Sequence, residues 1–227
     1  MLLREEREQI VHYGKIMVDR KLTVGTFGNI SVYNRDLDLF AITPSGFDYY
    51  KTSPEDCVIL RPDGTIVEGD RKPSSEYLLH SAFYREDFGV QAVVHTHSMY
   101  CTILACMGEP LRAVHYAIAE AGTGEIPLVP YHTFGTPELA EAAAAALRKK
   151  SRGLILANHG MCAGGSTLKS AYGLALTMEW CARVQLGCLS AGKMNVLTDE
   201  QMAEAMEHYK TYGQVRKGGA GPMGYNG

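Results

Sequence analysis

The chain has 227 residues, 46% of them hydrophobic and 21% charged, and a net charge of −3 at pH 7. This is the composition of a globular protein with one sizeable core, and its charge balance gives no bulk attraction to a polyanion such as nucleic acid. No window approaches the ~18–20 apolar residues of a membrane span.

The first residues, Met1-Leu2-Leu3-Arg4-Glu5-Glu6-Arg7, are charged at once and carry no signal-peptide core. Six cysteines show no paired spacing and read as buried thiols of a reducing compartment, so a cytoplasmic location is expected. Residues 4–20 are predicted to form an amphipathic helix with Ile10, Val11, Gly14, Met17 and Val18 on its apolar stripe. Residues 29–33 and 37–43 read as strands around the polar turn Asn34-Arg35-Asp36, and 57–60 and 65–67 as short strands around Pro62-Asp63-Gly64. Ser74 or Ser75 can cap a helix running to about Arg85. The apolar run 90–94 predicts a strand that ends in His95 and His97, and a helix to about Met107 follows.

Thr136-Pro137-Glu138 opens the next helix, with a threonine cap, a proline at its first position and then an acid; it should end at Arg148-Lys149-Lys150. The apolar run 154–157 leads into Asn158-His159-Gly160. Residues 167–189 predict a long helix, and Thr198-Asp199-Glu200 opens a last one that ends near Tyr212-Gly213. Residues 1–213 then form one domain, and the glycine-rich 214–227 a flexible tail. The alternation argues for an α/β fold with helices on both faces of a sheet, and the hairpins argue against a purely parallel one.

Side chains two apart on a strand share a face, so His95 and His97 present two imidazoles side by side. With His159 they could supply the three protein ligands of a catalytic zinc site; the alternative is that each is a satisfied core or loop histidine, and three together at strand ends favour the metal because unpaired imidazoles are costly to bury. Pro73-Ser74-Ser75-Glu76, at a helix start, is either a plain cap or a phosphate or carboxylate site. Thr26-Phe27-Gly28-Asn29 and Thr43-Pro44-Ser45-Gly46 are turns rich in hydroxyls and backbone N–H groups that could converge on the same anion.

These five segments, in this order, resemble the class II aldolase/adducin family over nearly the whole chain, from about residue 4 to Tyr212. Val114-His115-Tyr116, Ile126-Pro127, Pro130 to Thr136 and Lys210-Thr211-Tyr212-Gly213 are most similar to its aldolases acting on L-fuculose 1-phosphate. The resemblance implies a single three-layer α/β/α domain around a mixed, largely antiparallel sheet. It implies one zinc per subunit on Glu76, His95, His97 and His159, with Glu76 doubling as the base at C3. Phosphate binding would fall to Asn29, Thr43, Gly46, Ser74 and Ser75, with Thr26 and Gly28 beside them. Tyr116 would act as acid/base at the C4 oxygen, while Tyr212 and Phe134 shape the aldehyde site. Both tyrosines would enter from a neighbouring subunit of a homotetramer.

The implied reaction cleaves a ketose 1-phosphate, foremost L-fuculose 1-phosphate, to dihydroxyacetone phosphate and L-lactaldehyde. Alternatives are a pentulose-phosphate 4-epimerase, a thio-sugar-phosphate dehydratase using Glu120 or Glu125, and a metal-free adducin-like binding module. The epimerase pattern has an acid just after a mid-chain histidine, where this chain has Tyr116-Ala117-Ile118. His132 and the glycine-rich tail depart from the aldolase pattern.

Overall fold

The computed structural model describes residues 1–86, 89–148 and 150–209. One sheet holds eight strands: β1 (Asn29–Asn34), β2 (Leu39–Ile42), β3 (Val58–Leu60), β4 (Ile66–Glu68), β5 (Ala92–Thr96), β6 (Leu128–Val129), β7 (Gly153–Leu156) and β8 (Gly160–Gly165). Their order is β4-β3-β2-β1-β5-β8-β7-β6, antiparallel throughout except for the β6–β7 pair. Six helices accompany them among the described residues: α1 (Arg4–Asp19), α2 (Tyr77–Arg85), α3 (Met99–Met107), α4 (Pro137–Leu147), α5 (Leu168–Ser190) and α6 (Asp199–Tyr209).

Strand alternation divides the interior into two cores. Ile30, Val32, Ala41, Ala92 and Val94 face one way and pack with Ile10 and Met17 of α1, Leu104 of α3 and Leu174 and Met178 of α5. Tyr33, Phe40, Ile42 and Val93 face the other way and pack with Leu79 and Phe83 of α2 and Leu139, Ala143 and Leu147 of α4. This is the mixed three-layer α/β/α domain expected. His95 follows Val93 by two residues, so the pleat turns it toward the α2 layer.

The threonine cap of α4 forms as the sequence suggests, Thr136 Oγ1 accepting from Leu139 N–H, and at the start of α5 Thr167 Oγ1 accepts from Ser170 N–H. The start of α2 is a correction. Its N-cap is Glu76 rather than either serine, and Glu76 makes no side-chain cap bond because its carboxylate turns to other partners described below. Strands β6 and β8 were not anticipated. The predicted end of the last helix, the tail 214–227 and Tyr212 lie outside the described residues. All six cysteines are unpaired, and among the described residues no helix is long and apolar enough to cross a membrane.

Candidate active site

Three backbone features bring the predicted ligands together. β5 runs beside β1 and β8, with Asn29 opposite His95 and Thr96 opposite Met161. Asn158, at φ 54°, turns β7 into β8 and presents His159; asparagine tolerates this left-handed region better than most residues. Two glycines allow close approach: a Cβ on Gly28 (φ 74°) would meet His95 O at 2.5 Å, and one on Gly160 would meet Thr96 O at 2.4 Å.

Glu76, His95, His97 and His159 converge at the α2 end of β5, with one ligand atom from each lying within 4.8 Å of all the others. His95 Nε2 is 3.1 Å from His97 Nε2 and 3.1 Å from Glu76 Oε2. His159 Nε2 is 3.2 Å from Glu76 Oε1. Tetrahedral ligands at 2.0–2.1 Å from a zinc-like ion stand about 3.3 Å from one another, so these separations fit a metal. The donor set fits as well, because Glu76 Oε1 is buried without a hydrogen-bond partner. His95 Nδ1 lies 2.9 Å from Met161 O, a bond that orients the ring and aims Nε2 at the cluster. The Phe27 ring stacks on His97.

Charge is distributed unevenly over the four groups. Burial opposes ionisation of Glu76, but the His95 charge and hydrogen bond, then His159 and the Asn29 amide, hold its carboxyl far below the ordinary range. Burial likewise disfavours a charged His95, yet Glu76 raises its pKa well above the usual imidazole value. Burial and the His95 charge push His97 down to about 3 and His159 to about 4, leaving both as neutral lone-pair donors.

The three turns proposed to meet at an anion are linked to one another. Thr43 N–H donates to Ile30 O, and Thr43 Oγ1 accepts from Ile30 N–H. Ser74 N–H donates to Thr43 O, and Ser45 N–H to Lys72 O. Thr43 and Ser74 are buried, Ser75 and Gly28 half-buried, and Thr26 and Gly46 exposed. The Asn29 side chain is already engaged: Nδ2 donates to Glu76 Oε2 at 3.0 Å, and Oδ1 lies 2.5 Å from His80 Nε2.

Phe134 is exposed, on a loop whose Gly135 lies against the Ser75 carbonyl. Half-exposed Tyr116 lines, with Leu197, Ala205 and Tyr209, a groove of about 320 Å³ to which none of the four ligands contributes. Neither His80 nor Ser31 stands out among the candidate residues of the sequence. Their signal was positional, since 76, 80 and 84 recur every four residues on α2 and 29 and 31 every two on β1.

The sequence profile of the class II aldolase and adducin N-terminal domain matches residues 8–186. A 5-deoxy-D-ribulose 1-phosphate aldolase of Bacillus thuringiensis serovar kurstaki is 46% identical over 214 residues, which cover 94% of this chain and 100% of the relative. A 5-methylthioribulose-1-phosphate/5-deoxyribulose-1-phosphate aldolase of Rhodospirillum rubrum is 40% identical, over 89% of this chain and 92% of its own. Among solved structures, an L-fuculose 1-phosphate aldolase superposes with a TM-score of 0.89 at 40% identity, covering 92% of this chain and 98% of that one. Profile, aldolase relatives and fold agree with the Glu76–histidine cluster: the chain belongs to the class II aldolase and adducin family and is a carbon–carbon lyase.

Proposed function

We propose that this protein is a zinc-dependent aldolase that reversibly cleaves a deoxyketose 1-phosphate between C3 and C4. The products are dihydroxyacetone phosphate and a short aldehyde. The observation that carries the reading is a buried, ionised Glu76 aimed into a cluster of three histidines. A zinc held by Glu76, His95, His97 and His159 would supply Lewis acidity toward the negative charge that develops as the bond breaks. Glu76 returns the proton to C3 in cleavage and removes it in synthesis. The backbone and hydroxyls of 26–29, 43–46 and 74–75 hold the phosphate without an arginine. Tyr116 handles the proton of the C4 oxygen, Phe134 walls the aldehyde's apolar end, and Tyr212 completes that wall. Six free cysteines suit a reducing cytoplasm.

Two substrates compete, both lacking a terminal hydroxyl. L-fuculose 1-phosphate gives L-lactaldehyde, whereas 5-deoxyribulose 1-phosphate gives acetaldehyde. The 46% relative, matched over its whole length, favours the five-carbon sugar. Both substrates are expected to release dihydroxyacetone phosphate, with the higher kcat/KM on 5-deoxy-D-ribulose 1-phosphate, and L-ribulose 5-phosphate to yield no epimer. A higher kcat/KM on L-fuculose 1-phosphate would restore the six-carbon assignment; no dihydroxyacetone phosphate from either would end the aldolase reading.

Tyr116 lines a groove that shares no residue with the ligand cluster of its own chain, which supports a homotetramer in which it serves a neighbour's site. Glu76→Gln and Tyr116→Phe are each expected to be nearly inactive alone. Mixed and reassembled in equal amounts, they should regain activity at about one quarter of the sites, those pairing an intact Glu76 with a neighbour's intact Tyr116. A mixture as inactive as its parts would show that the site is built within one chain.

A further inference from the structure

Behind Glu76 runs a ladder of buried polar side chains that the reaction as described does not use. Glu76, His80 and Tyr84 form one stripe of α2, and Asn29 and Ser31 face it from β1. His80 and Ser31 are fully buried, and Asn29, Tyr84 and Glu76 are 4–6% exposed. Asn29 Nδ2 donates to Glu76 Oε2, His80 Nε2 lies 2.5 Å from Asn29 Oδ1, and Ser31 Oγ lies 2.5 Å from His80 Nδ1 and bonds to the Tyr84 hydroxyl.

Elementary donor and acceptor rules orient every proton in this ladder. An ionised carboxylate only accepts, so Asn29 must turn its NH₂ to Glu76 and its Oδ1 to His80. His80 Nε2 must then carry the proton; full burial lowers the His80 pKa to about 3 and keeps the ring neutral, so its bare Nδ1 must accept from Ser31. Ser31 has spent its proton on His80, so the Tyr84 hydroxyl donates to Ser31 Oγ. Five polar groups buried here carry a desolvation cost that apolar side chains would avoid. Each link is satisfied only in this one polarity, and it runs toward Glu76.

We infer that His80 is a positioning residue for the Glu76 base: clamped between Ser31 and Asn29, it locks the Asn29 amide so that its Nδ2 holds Glu76 Oε2. Oε1 is thereby left to face His159 and the reacting atoms. The inference rests on the proposed role of Glu76 as base. It predicts that His80 matters through the hydrogen atom on Nε2, not through its bulk.

The test joins a spectroscopic readout to a kinetic one. Nitrogen-15 NMR of the full chain should find His80 neutral with its proton on Nε2. His80→Leu, which leaves Asn29 free to flip its oxygen toward Glu76, should lower kcat and C3 exchange of dihydroxyacetone phosphate about 10- to 100-fold, with KM unchanged. His80→Gln, which restores an amide N–H toward Asn29, should recover most of that loss. A proton on Nδ1, an equal loss of kcat in both variants, or full kcat in His80→Leu would each overturn the inference. If His80→Leu does not fold, the tautomer and the kcat of His80→Gln decide: near wild type supports the clamp, and loss as deep as that of Glu76→Gln refutes it. A wild-type chain that neither cleaves nor exchanges would sink the aldolase reading instead, while the tautomer would still report whether Asn29 is held.

Discussion

Glu76→Gln is expected to lower turnover about 10²- to 10⁴-fold, the usual contribution of a positioned general base, and to abolish C3 proton exchange of dihydroxyacetone phosphate. The chain should still fold. A glutamine can present its oxygen to the Asn29 amide and its NH₂ to His159, whose pKa of about 4 leaves the ring neutral, with Nε2 an acceptor in the tautomer that carries its proton on Nδ1. Stranding a buried charge by removing its partner typically costs about 3–5 kcal/mol. Here His95 can shed its proton once the carboxylate is gone, so the loss should fall below that range. Deuterium exchange into dihydroxyacetone phosphate, read beside a melting curve and metal content, checks this. Exchange at the wild-type rate with zinc still bound would remove Glu76 from the base role.

The metal cluster was readable because it follows from strand geometry: His95 and His97 share a face wherever that run is extended, and Asn158-His159-Gly160 follows a second apolar run. The helix starting at Thr136 was readable for a similar reason, since its start signal is local and the structure makes the corresponding bond. β8 was hidden by its composition, Gly-Met-Cys-Ala-Gly-Gly, which carries no alternation. Its glycines answer to packing against neighbouring elements: a Cβ on Gly165 would meet Ala171 N of α5 at 2.4 Å, and one on Gly164 would meet the Phe83 ring of α2 at 2.9 Å. The place of Tyr116 could not be read from spacing either, because it depends on how the short 3₁₀ helix Tyr116–Ala121 docks against α6. The ladder beneath Glu76 falls between these cases. Its periods of four and two are plain in the sequence, but only the packing of α2 on β1 makes them one network.

Stripping the protein with a chelator should abolish turnover, and returning zinc should restore it with the release of about one proton per site at pH 7. The count follows from the uneven charges in the cluster. Glu76 is held far below the ordinary range and is already ionised. His97 and His159, at about 3 and about 4, are already neutral and have no proton to lose. His95 alone is raised well above its ordinary 6.5, so the metal-free chain keeps an imidazolium facing Glu76. That pair stabilises the metal-free fold fully below the unfolded histidine value, and its contribution disappears as pH rises through the raised value. Zinc needs the neutral ring, so its affinity should rise with pH over the same window until His95 has titrated. Calorimetric titration of zinc into the stripped chain, in two buffers of different ionisation heat, counts the proton directly. Release of none would mean that His95 is already neutral beside Glu76, and release of three would mean that the cluster does not hold His97 and His159 in their neutral forms. Turnover that survives full removal of the metal would separate the cluster from the chemistry altogether.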